Sequence, residues 1–205
     1  DPGLTQARKH FENAIELDAT LSDAHAYLAI CGASHLVQRI SKSPEKTLDD
    51  MLFHGHKAET LNPENPMSLL GISIAHFFRG NHSAILDYAQ RAVNLNPSLA
   101  MSHFWLGLGE VHSGKYQKGE ISILKAFDLS PTDPDLMHFY GVLYFAYLGQ
   151  EKYEEALEAI DKALLRHPDV GHHLGFRAAV LGHLERVSDA KDALKKYLAL
   201  RPDLK

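Results

Sequence analysis

Residues 101–131 read MSHFWLGLGEVHSGKYQKGEISILKAFDLSP, and the spacing of their small residues and closing proline decides the fold. Ala126 stands five residues before Pro131, and the same pair recurs as Ala58 with Pro63, Ala92 with Pro97 and Ala163 with Pro168. From Pro63 onward the prolines at 63, 97, 131, 168 and 202 follow at intervals of 34, 34, 37 and 34 residues. A fixed period of this size predicts a repeat array, and two helices fill each period. In the quoted stretch Leu106 and Gly107 lie midway along a first helix, Gly114 and Tyr116 in a turn, and Gly119 and Ala126 on a second helix. Gly and Ala are expected where two helices of a hairpin approach most closely. Larger residues (Leu106, Ile123, Phe127, Tyr144, Ile160, Leu194) are expected to fill the space between hairpins. Proline ends each second helix, because it cannot continue one and disfavours helix in the residue before it.

Working outward, the pattern predicts an all-α chain of 11 helices in one array over 1–205. A lone helix at 4–18 precedes five hairpins: 22–63 with a long insertion around 37–46, then 66–97, 98–131, 134–168 and 170–202. The insertion is implied by Ala19, which stands 44 residues before Pro63. Asn65-Pro66, Asp133-Pro134 and Ser43-Pro44 each read as a capping residue followed by proline at a first helical position. Gly80 and Gly114 mark turns within hairpins.

Composition narrows the function classes. The 205 residues are 45% apolar, and the net charge of −5 is spread without a basic run, which argues against nucleic acid as a partner. One cysteine, Cys31, gives no internal disulfide and no sign of an oxidising compartment; on the apolar stretch 24–33 it reads as buried. Apolar stretches break well before the ~20 residues a membrane span needs, so no insertion is expected. The opening Asp1-Pro2-Gly3 carries no signal-like segment and reads as the start of a piece of a longer protein, with a cytoplasmic location expected.

With these residues in place, the chain resembles the tetratricopeptide repeat (TPR) family over nearly its whole length. The resemblance implies a right-handed α-solenoid of antiparallel helix hairpins. It departs in the first repeat, where Met51 and Gly55 stand at places usually held by Ala and an aromatic, and Tyr197 replaces the last alanine. The opening ARKHFENAIELDATLSDAHAYLAICG (7–32) and the close HHLGFRAAVLGHLERVSDAKDALKKYLALRPDL (172–204) are also similar to the TPR region trailing bacterial class III adenylate cyclases and some membrane-bound winged-helix regulators.

By the family's register, first helices line a concave face. The residues expected there are Met67, Leu70, Ile74, Phe77 and Phe78, then Met101, Phe104, Leu108 and His112, then Asp135, His138, Val142 and Phe145, and finally His172 and His183. The resemblance offers a Lys/Asn/Arg clamp for acidic chaperone tails, but none of those residue types stands at these places. What replaces it is an aromatic and methionine stripe with histidines at one end. That suits an apolar or amphipathic segment of a partner protein. Phe77 and Phe78 adjoin, so on a helix at least one is expected to face away from the hairpin interior.

Candidates for chemistry are weak. Of fourteen histidines only His54-x-His56 and His172-His173 are tightly spaced, and side chains one or two apart on a helix diverge, so no metal and no cofactor are expected. Gly109 to Tyr116 imitates a phosphate loop, but Tyr follows Lys115 where Ser or Thr must hold magnesium. Glu151, Glu154, Glu155, Glu158 and Asp161 share a solvated face with Lys152, Lys162 and Arg166. Asn81-His82-Ser83 matches a glycosylation sequon without a secretory context. Lys191, Asp192, Lys195 and Lys196 form the polar stripe that the end of a repeat array needs.

The sequence therefore reads as a non-enzymatic scaffold binding a protein segment. The alternative is a C-terminal regulatory or dimerisation module of a larger bacterial signalling enzyme such as a class III adenylate cyclase. Self-association through the apolar groove or the lone first helix is a further expectation.

Overall fold

The computed structural model of the chain describes residues 2–37, 41–168 and 170–201. Pro202, the fifth beat of the proline period, and residues 38–40 of the expected insertion lie outside the described residues. Among the described residues there are eleven α-helices and no strand. They are α1 (Pro2–Leu17), α2 (Ser22–Val37), α3 (Pro44–Leu61), α4 (Pro66–Phe78), α5 (His82–Leu95), α6 (Ala100–His112), α7 (Tyr116–Leu129), α8 (Leu136–Leu148), α9 (Tyr153–Arg166), α10 (Gly171–His183) and α11 (Val187–Leu200).

The recurring Ala-to-Pro interval has a direct structural meaning. Ala58, Ala92, Ala126 and Ala163 are fully buried, and each carbonyl accepts the backbone N–H of the last residue before the proline: Asn62, Asn96, Ser130 and His167. Those four residues share a similar non-helical backbone, with φ between −146° and −140° and ψ between 74° and 96°. That lies outside the α region, which a following proline disfavours in its predecessor. One alanine thus serves both as the small residue of the interface and as the last closed turn of the helix.

The chain divides into two compact units, Asp1–Gly109 and Glu110–Lys205. In the first, α4 packs against α2, α3 and α5, and it is buried along residues 68–75. The approach is close enough that a Cβ on Gly71 would come within 2.7 Å of the Ala29 Cβ on α2. The first repeat's departures are accommodated in the same way. A Cβ on Gly55 would strike the Ile72 side chain, while buried Met51 lies against Gly32 and takes the space a side chain there would need. In the second unit α8 packs on α7 and α9, and α10 on α9 and α11. Its core holds Phe139, Tyr144, Ile160 and Leu181.

Two of the three expected helix starts occur where the proline stands, but only one of the three expected caps forms. The Asn65 side chain accepts the Met67 N–H at 3.0 Å ahead of Pro66. Ser43 precedes Pro44 but makes no side-chain capping bond. Asp133 is a correction: α8 begins only at Leu136, and the Asp133 carboxylate instead accepts the Asp135 N–H at 2.9 Å, closing a turn across Pro134.

Gly80 and Gly114 take φ values of 69° and 74° in their hairpin turns. Glu151 and Glu185 take 58° and 57° at the matching turns of the next two hairpins. A side chain is disfavoured there by roughly 1–2 kcal/mol, part of which glycine gives back in unfolded-chain entropy. Glu151→Gly and Glu185→Gly are each expected to raise unfolding free energy by about 0.5–1 kcal/mol in urea denaturation, and Gly114→Ala to lower it by a similar amount. A loss on Glu185→Gly would show that the turn is not strained.

Candidate functional site

In the second unit, side chains of α8 and α10 meet in a cluster of rings. Tyr144 stacks on Phe176 with centroids 5.3 Å apart, and its hydroxyl donates to the Phe176 carbonyl at 3.1 Å. Phe145 stands edge-on to both, at 5.0 and 4.9 Å. His172 lies edge-on to Phe176 at 5.7 Å and to His173 at 4.4 Å. Gly141 leaves room for the imidazole behind them, since a Cβ there would sit 3.4 Å from the His173 Nε2.

Exposure sorts these rings by role. Tyr144 and His173 are buried, Val142 and Phe176 half-buried, and His138, His172 and Phe145 exposed, with Phe145 keeping 38% of its surface. Burial pushes the Tyr144 hydroxyl up to about 12. It pulls His173 down to about 4, helped by His172, His138 and His167, and also lowers His172, with His138 adding to it. The Nδ1 of His173 has no hydrogen-bond partner among the described residues. His138 Nδ1 faces the Asp135 carboxylate at 3.6 Å, and this imidazole holds Asp135 below the usual carboxylate range. At neutral pH His172 and His173 are therefore uncharged, and the face is apolar with imidazole edges that can donate or accept.

In the first unit, Phe77 and Phe78 are half-buried, as are Met67 and Met101. The two phenyl rings meet edge-on at 5.4 Å, and Phe77 meets the buried Trp105 at 5.7 Å. Four expected contact residues are corrected. Leu70, Ile74, Phe104 and Leu108 are buried, with Phe104 only 5% exposed, and present no surface to a partner. For Leu70 and Ile74 the cause is the packing of α4 by three other helices, which buries it all round rather than along one stripe. Phe104 packs edge-on against Trp105. His112, Asp135 and His183 are exposed, His183 with its ring stacked on Tyr153 at 4.6 Å.

Solved structures share this architecture. Over 97% of the chain, and 37% of the other, it is similar to a structure described as the APC/C hetero-tetramer Cut9-Hcn1 (TM-score 0.82, 19% identity). The chain thus spans little more than a third of that relative. It is also similar to YrrB, described as a TPR protein with an unusual peptide-binding site, over 94% of this chain and 93% of that one (TM-score 0.63, 16% identity). A thermophilic TPR protein of Thermus thermophilus matches over 87% of this chain and 90% of that one (TM-score 0.64, 22% identity). The fold is that of a tetratricopeptide-repeat solenoid. The tetratricopeptide repeat family model matches residues 146–204, which together with these folds supports that family. No curated protein sequence matches the chain.

TPR proteins are generally non-enzymatic scaffolds, and two of these three neighbours are described as TPR proteins. Several residues that the sequence offers as candidates for chemistry have local partners. Glu158 pairs with Lys162 at 2.6 Å on the charged face of α9. Asn81 caps α5 by accepting the Ala84 N–H. His54 and His56 diverge, the first sharing a hydrogen bond with buried His25 (Nδ1 to Nδ1, 2.8 Å) and the second facing Glu59. Cys31 is buried, which pushes its thiol up. Among the described residues no group of three or more His, Cys, Asp or Glu side chains could hold a metal ion, and no helix is long and apolar enough to cross a membrane.

Sequence reasoning missed Phe176, which the TPR register would have found. Aligning Gly141 with Gly175, 34 residues on, pairs Val142 with Phe176 and buried Phe139 with His173.

Proposed function

We propose that the chain is a non-enzymatic scaffold that binds an apolar or amphipathic segment of a partner protein, with Phe145, Val142, Phe176, His138 and His172 as one contact face. The observation that carries this is Phe145, which keeps 38% of its surface although it packs edge-on against two rings. Such a ring is already held in place, so little side-chain entropy is lost when a partner covers it. One aromatic side chain can bury about 150–250 Å² and anchor a complex. The imidazoles of His172 and His138 at the edge can hydrogen-bond a peptide backbone. In the first unit, the half-buried Phe77 and Phe78 rings, edge-on to each other, offer surface of the same chemistry, and Met67 and Met101 are half-buried as well. YrrB's description names a peptide-binding site, and a peptide segment is the partner class proposed for this chain.

Screening an array of short amphipathic peptides tests the reading. The chain is expected to retain peptides carrying apolar residues at helical spacing, and Phe145→Asp to weaken them at least about tenfold while thermal unfolding stays within about 2 °C of the parent. Retention of such peptides by Phe145→Asp at parental affinity would sink the α8–α10 face.

A further inference from the structure

We propose that the cleft between α9, α10 and α11 is a second docking site, built to take an exposed aromatic side chain of a partner protein segment. The repeat register carries this, because the preceding repeat has a cleft at the same place, between α7, α8 and α9, with different side chains. Leu124, Phe127, Tyr140 and Leu143 of that earlier cleft correspond to Asp161, Leu164, Leu174 and Arg177 of this one. The earlier cleft is about 320 Å³ and the later one about 920 Å³.

The two clefts also differ in their side chains. In the earlier cleft the Phe127 and Tyr140 rings meet at 4.7 Å, and the Lys162 ammonium lies 6.0 Å over Tyr140. The later cleft has leucine at both ring positions, and Lys196 takes the place of Lys162. Arg177 and Asp161 replace a leucine pair and bind each other at 2.6 Å, which fixes the guanidinium in the wall. Two cations, Arg177 and Lys196, and two carboxylates, Asp161 and Asp192, therefore flank a space of about 920 Å³ floored by leucine and alanine. A ring's negative π face suits both cations, and arginine's planar group stacks on aromatic rings. Leu165, 82% exposed, stands at the rim, where an entering ring would cover it. None of these residues belongs to the α8–α10 ring cluster, so the site is independent of the function proposed above.

Titrating the full chain with N-acetyl-tryptophanamide, followed by NMR of leucine methyls, tests the site. Saturable shifts are expected at Leu164, Leu165, Leu174 and Leu200, with N-acetyl-leucinamide at least about threefold weaker. Leu164→Phe with Leu174→Tyr restores the rings of the preceding repeat and is expected to weaken binding at least about tenfold. Leu165→Glu alters an exposed side chain without disturbing the core, and is expected to weaken binding about fivefold. Phe145→Asp is expected to leave it unchanged. Shifts confined to leucines outside the cleft, or parental affinity in both cleft variants, would overturn the proposal.

Discussion

Lowering the pH from 7 to 4 is expected to remove on the order of 2 kcal/mol of stability through His173 alone, and His173→Phe to remove that part of the pH dependence. His173 is 3% exposed, and its Nδ1 has no hydrogen-bond partner among the described residues. Burial first, and then His172, His138 and His167, bring it from an ordinary 6.5 to about 4. The folded chain thus binds this proton more weakly than the unfolded chain. The stabilising contribution of the neutral imidazole is complete above about pH 6.5 and falls away as the pH drops toward 4. The preceding repeat holds the fully buried Phe139 at the matching position, so a phenyl ring suits the environment. Burial also lowers His25, His54, His76 and His172, so the parent slope contains their terms as well. The decisive quantity is the difference between parent and His173→Phe in urea denaturation at pH 7 and pH 4.5. Equal pH slopes in the two would show that His173 does not titrate in this range.

The helices were legible because each repeat writes the same local physics. The alanine must be small at a helix contact, and the proline five residues later must stop the helix, whatever lies beyond. The residue pair therefore locates helix ends without knowledge of the packing. Burial of the expected contact face was not legible for the opposite reason. Helical spacing shows which residues share a side, but not how many other elements cover it. Leu70 and Ile74 share a side with Phe77, yet α4 is enclosed by α2, α3 and α5, and only its two ends retain surface. Asp133 misled similarly: Asp-Pro fits both a helix start and a turn, and the Asp135 N–H chose the turn. The features richest in consequence lie where one repeat departs from another. Phe139 against His173, Val142 against Phe176 and Leu143 against Arg177 mark a buried imidazole, an added ring and a cleft wall.

Tyr144→Ala is expected to cost about 3–5 kcal/mol, the range for deleting a fully buried aromatic side chain, although its neighbour Phe145→Asp costs little. The two residues adjoin on α8 and touch the same ring, Phe176. Their surroundings differ: Tyr144 is 1% exposed and Phe145 faces solvent over more than a third of its surface. Removing the Tyr144 ring leaves a cavity beneath Phe176 and frees its carbonyl from the hydroxyl's hydrogen bond. Tyr144→Phe separates these effects, since it deletes only the hydroxyl and is expected to cost about 1 kcal/mol. Hydrogen exchange of α8 and α10 amides should quicken strongly in Tyr144→Ala, slightly in Tyr144→Phe and not at all in Phe145→Asp. Peptide binding should follow a different order, with Phe145→Asp losing it despite an intact fold and Tyr144→Phe keeping it. Were Phe145→Asp to unfold the second unit as Tyr144→Ala does, its ring would be part of the core, and the contact face proposed on α8 and α10 would fail with it.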